Sequence, residues 1–406
     1  MDTLHFVIVG HVDHGKSTLI GRLLYDTNSL AADKIEEIKK ISAELGRETE
    51  FAYLCDHLEE ERQQGVTIDT TQVFFKTDKR EYVIIDAPGH VEFVKNMITG
   101  ASQAEAGVLI VDVKEGVRQQ TRRHAYILSL LGFNQVVVVL NKMDLVDYSQ
   151  EHFDNTKNAV EKFLDSINIK PLYCIPISAV SGDNVAAKSD KMAWYRGPTF
   201  LESLDSLKKM ESAEDKALIF PVQDVYKIDN KRITAGRVEA GVLTRGQSIK
   251  VLPSGQSTRI KSIEKYPCQV EAAAAGESIG VTTEEPLFLN RGDVICSSDA
   301  EPILTDTFEA TVIWMSKSEF KKDEKITIRC ATQETIAKVE RIRDRIDSST
   351  LDILEQDADR LRNLEVGRVT IKTKNPIVIK SFNDVQELGR FVFVKDDNIC
   401  AGGIIM

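Results

Sequence analysis

One stretch, Gly10-His11-Val12-Asp13-His14-Gly15-Lys16-Ser17, constrains this chain more than any other. It follows the apolar, β-branched run Phe6-Val7-Ile8-Val9 and opens into Thr18-Leu19-Ile20-Gly21-Arg22-Leu23-Leu24. That order reads as strand, glycine-bounded loop and helix. The spacing G-x-x-x-x-G-K-S is that of a phosphate-cradling loop. Gly10 and Gly15 let the backbone turn so that its N–H groups face phosphate oxygens. Lys16 brings a cation to the β- and γ-phosphates, and the Ser17 hydroxyl is a Mg²⁺ ligand. The start of the helix adds a dipole that favours anions.

The chain has 406 residues, more than one hydrophobic core accommodates, so two or three domains are expected. Sixty-three acidic against 52 basic residues give a formal net charge of −11, which argues against a broadly basic nucleic-acid binder. Cys55, Cys174, Cys268, Cys296, Cys330 and Cys400 show no C-x-x-C spacing. They read as isolated reduced thiols, neither a zinc site nor a disulfide frame. No apolar run approaches the roughly 20 residues that span a membrane, and the N-terminus enters a strand without a signal-peptide pattern. A cytoplasmic location is expected.

Downstream, helix-prone and charged residues run from Ala31 to Leu45 and from Tyr53 to Gln64, followed by Gly65-Val66-Thr67-Ile68-Asp69. Residues 72–76 and 81–86 read as a strand pair. The second ends in Asp86-Ala87-Pro88-Gly89-His90. An Asp at a strand's C-terminal end, followed by Gly, suits a second Mg²⁺-binding position. Val108 to Asp112 is a buried strand, Gln119 to Leu131 a helix, and Val136 to Leu140 another strand. Asn141-Lys142-Met143-Asp144 follows directly. An Asp carboxylate there can accept two N–H bonds from a guanine edge, and adenine would leave it unpaired. Tyr173 to Ile177 is the last strand of the set and runs into Ser178-Ala179, whose backbone can reach the base's O6. Strands alternating with helices imply a mostly parallel sheet with its ligand at the strands' C-terminal ends.

These motifs in this order resemble the translation-factor-type GTPases, the elongation factor Tu class, over the whole chain. His11-Val12-Asp13-His14 inside the loop is typical of that class. The resemblance implies an α/β P-loop GTPase domain, with helices on both faces of its sheet, followed by two antiparallel β-barrel domains. It implies GTP and Mg²⁺ as ligands. Gly10, His11, Asp13, His14, Gly15, Lys16, Ser17 and Thr18 would hold the phosphates, with Asp86, Pro88 and Gly89 beside them. Ser17, Thr67 and Asp86 would meet Mg²⁺. His90 would orient or activate the attacking water, with Lys16 and Thr67 sharing the catalytic work. Asn141, Lys142 and Asp144 would hold guanine, with Ser178 and Ala179 behind it.

Beyond residue 183 the alternation stops. Trp194-Tyr195-Arg196-Gly197-Pro198-Thr199 leads into a short helix, and Lys208 to Lys216 reads as a charged linker. From Ile219 short alternating strands with Gly turns predict a small antiparallel barrel, and a second all-β run fills the rest. In that run strands are expected near 307–315, 326–332, 335–346, 368–373, 377–382 and 390–394, with Ala401 to Met406 as the chain end. The expected division is 1–210 for the GTP-binding domain, 211–218 for the linker, then barrels at 219–302 and 303–406. The charged cluster Lys317 to Lys322 reads as a solvated loop.

Within the class, several strings are most similar to the large GTPase subunit of two-subunit ATP sulfurylase. They are Gln120-Thr121-Arg122-Arg123-His124, the Val146-Asp147-Tyr148-Ser149 tail after the guanine motif, Gly182-Asp183-Asn184-Val185-Ala186, Met192-Ala193-Trp194-Tyr195 with Gly197-Pro198-Thr199, and Val251-Leu252-Pro253-Ser254-Gly255. Ala87 stands where that subunit often has Thr. The similarity implies a GTPase that couples hydrolysis to adenylylsulfate formation on a catalytic small subunit, with no membrane partner. The alternative is an elongation factor delivering aminoacyl-tRNA to the ribosome, the one case in which a nucleic-acid partner is expected.

Overall fold

Strands rich in Val, Ile and Leu hold their place only where both faces are covered. β1 (Thr3–Gly10), β4 (Ala106–Asp112) and β5 (Val136–Asn141) are of this kind, and β4 and β5 are buried along their entire length. The computed structural model describes residues 3–30, 71–87, 104–208, 213–228, 231–266, 268–285 and 287–406. Its chain divides into two compact units, Met1–Met210 and Glu211–Met406. The helix-prone stretch at 31–64, Cys55, Thr67, Pro88, Gly89 and His90 lie outside the described residues.

In the first unit β2 (Thr71–Lys76), β3 (Glu81–Asp86) and β6 (Tyr173–Pro176) complete a six-stranded sheet in the order β2-β3-β1-β4-β5-β6. All neighbours are parallel except β2, which pairs antiparallel with β3. The described helices are α1 (Lys16–Asp26), α2 (Gln119–Leu130), α3 (Gln150–Ser166) and α4 (Phe200–Ser206). The register sets the motif-bearing strand ends side by side. Ile8 lies opposite Asp86, Gly10 opposite Ile110, Asp112 opposite Asn141, and Leu140 opposite Pro176. Four separate sequence motifs thereby reach one edge of one sheet.

The second unit holds two antiparallel barrels. In the first, six strands from Ile219 to Ser297 close when Ser248–Leu252 pairs with Gln256–Lys265. In the second, Lys325–Cys330 pairs with Gln333–Asp347 to close another six-stranded ring. Two expectations for this barrel are corrected. The segment Glu365–Ile379 is a single strand across the region read as two. Its pairing with Ile303–Trp314 shifts register between Thr305 and Thr307, so Pro376, which cannot donate to the ladder, sits at an irregularity. The glycine-rich end is also a strand, Asn398–Ile405, paired on both sides. A Cβ on Gly403 would stand 2.3 Å from the Phe391 ring, so glycine there answers a close approach. Within Lys317 to Lys322, Phe320 is not solvated: it is buried against Trp314 and Phe393.

The two barrels share an apolar seam of Ile219, Ala240, Leu252, Val294, Cys296, Val378, Val385 and Leu388. Glu239 lies beside it. Burial, then the Glu387 carboxylate, push its carboxyl up to about 7, against the pull of Arg237 and Arg390. A raised carboxyl pKa adds stability below the ordinary value of 4.5, and that contribution is lost as pH rises through about 7. Glu239→Gln should therefore stabilise the protein at pH 8 relative to pH 4.5 by of order 1 kcal/mol after solvent screening, read from urea midpoints.

Candidate functional site

The phosphate loop is shaped by two glycines with different duties. Gly10 ends β1 so close to β4 that a Cβ would lie 2.5 Å from the Ile110 carbonyl oxygen. Gly15 caps α1 with φ of +92°, and a Cβ there would meet the Asn141 amide nitrogen at 2.4 Å. Asp13 also takes a left-handed conformation, one that Asp tolerates better than most residues. Gly15→Ala combines backbone strain with a clash and should cost about 1–3 kcal/mol in unfolding free energy, measured by denaturant titration.

Lys16 is 7% exposed. Its ammonium donates to the carbonyl oxygens of Gly10 and His11, each at 3.1 Å. Burial pushes its pKa down, against the pull of Asp86 and Asp13. Burial pushes both loop histidines below the ordinary imidazole value. His14 is fully buried, its ring 5.1 Å from that of His11, and burial pushes it down to about 4. Its Nδ1 lies 3.2 Å from the Asp112 backbone nitrogen and 3.4 Å from the Ile110 carbonyl oxygen, and its Nε2 is 3.6 Å from Glu115. His124 of α2, also fully buried, is pushed down to about 3 by burial and by the nearby Lys16 and Arg123.

The base-motif residues come together with the loop. Asn141 donates from Nδ2 to the His14 carbonyl at 2.9 Å and accepts the Ala179 N–H on Oδ1 at 3.0 Å. It therefore ties the phosphate loop to the Ser178-Ala179 segment. Ser178 Oγ donates to Asp144 Oδ1 at 2.6 Å. Lys142, in a left-handed conformation, places its ammonium 2.9 Å from Asp112 Oδ2. A carboxylate facing a short backbone segment that carries N–H groups suits a planar base with adjacent donors.

Asp86 ends β3 almost completely buried, and its charge is felt at Lys16. Ser17 lies at the start of α1. A hydroxyl and a carboxylate are oxygen donors of the hard kind that Mg²⁺ takes, so these residues fit that ion. Among the described residues no trio of His, Cys, Asp or Glu forms a metal cluster.

Reasoning from sequence missed several participants. Asp112 ends an apolar strand, as Asp86 ends the apolar run Tyr82 to Ile85, and that shared pattern is the available signal. Arg22 of α1 donates to the carbonyls of Ala179, at 3.3 Å, and Val180. Tyr148 and Asp183 brace the same segment. Tyr148 donates to Asp183 Oδ2 at 2.9 Å, Ser189 to Oδ1 at 2.6 Å, and Lys191 contacts both side chains. The Asp183 backbone bonds back to Ser178, and Trp194 Nε1 donates to the Tyr148 carbonyl. The doubled arginine is engaged internally: Arg122 lies 4.9 Å over the Phe163 ring, and Arg123 is buried against Gln120 at 2.9 Å.

Known proteins agree with this architecture. Residues 1–212 match the family model described as elongation factor Tu GTP binding domain, 231–296 that of elongation factor Tu domain 2, and 307–406 that of GTP-eEF1A C-terminal domain-like. The chain is 40% identical over 406 residues to "Elongation factor 1-alpha" of Archaeoglobus fulgidus, covering 98% of this chain and 96% of that protein. It is 37% identical over 395 residues to "Sulfate adenylyltransferase subunit 1" of Aeromonas salmonicida, covering 96% of this chain and 83% of that protein. The chain belongs to the family of EF-Tu/EF1A-type GTPases, with an N-terminal GTPase domain and two β-barrels behind it.

Proposed function

We propose that the chain binds GTP with Mg²⁺ and hydrolyses it as the energy-coupling subunit of a cytoplasmic sulfate adenylyltransferase. A catalytic small subunit would join sulfate to the AMP part of ATP, giving adenylylsulfate and pyrophosphate. The observation that carries this reading is the convergence of its sequence similarities. The strings that resemble the ATP sulfurylase subunit supply Tyr148, Asp183, Trp194 and their neighbours, and these form one hydrogen-bonded brace behind the Ser178-Ala179 segment. The relative named sulfate adenylyltransferase subunit 1 supports the same reading. The division at 1–210, 211–218, 219–302 and 303–406 belongs to it.

In this reading Asn141 holds the phosphate and base segments together, while Asp144 and the Ala179 backbone recognise the guanine edge. Lys16 and the loop N–H groups bind the β- and γ-phosphates, and Ser17, Thr67 and Asp86 hold Mg²⁺, which neutralises phosphate charge when bound. His90 orients a water whose oxygen bonds to the γ-phosphorus as the bond to the β–γ bridging oxygen breaks, leaving GDP and phosphate. Segments around Thr67 and from Asp86 onward relax once the γ-phosphate is gone. Adenylylation of sulfate is uphill, so a coupled hydrolysis is chemically sensible.

A second reading, delivery of aminoacyl-tRNA to the ribosome, is favoured by the relative named elongation factor 1-alpha at 40% identity. One experiment separates them. The chain is purified with co-expressed neighbours, and GTP turnover is measured with ATP plus sulfate, then with aminoacyl-tRNA. Stimulation by ATP, sulfate and a copurifying subunit supports the first reading. No stimulation there, with tight binding of charged tRNA, replaces it with the second.

A further inference from the structure

Asp112 stands where the phosphate loop and the base motif meet. It is 2% exposed, at the end of a strand with no other charged residue. A carboxylate so placed is costly unless every lone pair is engaged. Its two oxygens divide the task. Oδ1 accepts the N–H groups of Lys114, at 2.8 Å, and Glu115, at 3.2 Å, which closes the turn after β4. Those bonds fix the carboxylate's orientation and leave Oδ2 facing Lys142 at 2.9 Å. The backbone does the rest. Asp112 is the register partner of Asn141, its N–H goes to His14, and the Asn141 carbonyl accepts the Val113 N–H at 2.9 Å.

We propose that Asp112 is a positioning residue for guanine-nucleotide binding, acting by anchoring the Lys142 ammonium. The proposal rests on reading this site as a guanine site. Lys142 sits between Asn141 and Asp144 on a left-handed backbone. With its ammonium held by a rigid carboxylate on the neighbouring strand, the four-carbon stem is fixed across the space beside the base motif. Released from Asp112, a lysine side chain 27% exposed is free to enter solvent, and the arm must then be ordered each time nucleotide binds. The pair thus removes an entropic cost of binding in advance.

The test is a double-mutant cycle on the full chain, with GDP as the probe. Wild-type protein must first bind GDP in a displacement titration; if it does not, the guanine reading itself fails, whatever Asp112 does. Given that binding, Asp112→Asn, which keeps an acceptor for the Lys114 N–H, should raise the GDP Kd about tenfold through faster dissociation. In a Lys142→Met background the same change should have little effect, because there is no ammonium left to hold. A merely structural role would cost the same factor in both backgrounds. That outcome, or wild-type affinity in Asp112→Asn, overturns the proposal. Should Asp112→Asn not fold, Asp112→Ser, which also retains an acceptor for the turn, carries the same expectations.

Discussion

Asp144→Asn should weaken GDP binding by about 10³-fold or more while improving the binding of xanthosine diphosphate. Guanine presents two adjacent N–H donors, and a carboxylate is the side chain that accepts both. The replacement is isosteric and retains the oxygen that accepts from Ser178 Oγ at 2.6 Å, so the base loops keep their link. It places an amide N–H₂ against a guanine donor, leaving buried polar groups unpaired. Xanthine carries an oxygen in place of the 2-amino group, and the new amide can donate to it. Displacement titrations with both nucleotides read the exchange. Equal losses for the two would assign Asp144 to bracing Ser178 alone.

Lys16→Met should reduce kcat/KM for GTP hydrolysis by about 10³-fold and leave the ligand-free protein as stable as before. The two halves have one cause. The ammonium of a lysine 7% exposed, hydrogen-bonded to two loop carbonyls, carries a desolvation penalty, which an apolar side chain of similar length does not. In the proposed function the same ammonium is the positive charge the loop offers to phosphates, and its interaction strengthens where water is excluded. Single-turnover hydrolysis and thermal unfolding, run on one preparation, separate the effects. A fall in melting temperature that matches the loss of activity would make Lys16 structural.

Much of the first unit was legible because its signals are local. β-branched runs gave β2 to β6 within two residues of those observed, and glycine spacing placed the loop between β1 and α1. The end of the second barrel was not. Ala401-Gly402-Gly403 has weak intrinsic strand preference, and it becomes a strand because two neighbours pair with it and Phe391 leaves room for no side chain. Helix α3 carries little local signal either. Its apolar residues are sparse, with Phe153, Val160, Phe163 and Leu164 buried among exposed polar ones.

By itself the sequence determined the fold class, a GTPase domain with barrels behind it, and where the motifs read as a phosphate loop, a strand-end acid and a guanine site lie along the chain. Residue type and short-range spacing suffice for that, since each motif lies within a single turn or strand end. Tertiary structure decided how those motifs act together. Asn141 reaches His14 across 127 positions, Arg22 reaches Ala179 across 157, and Asp112 meets Lys142 because parallel register makes Asn141 its neighbour. Such pairings depend on strand order and register, which many distant contacts fix together and no local pattern records.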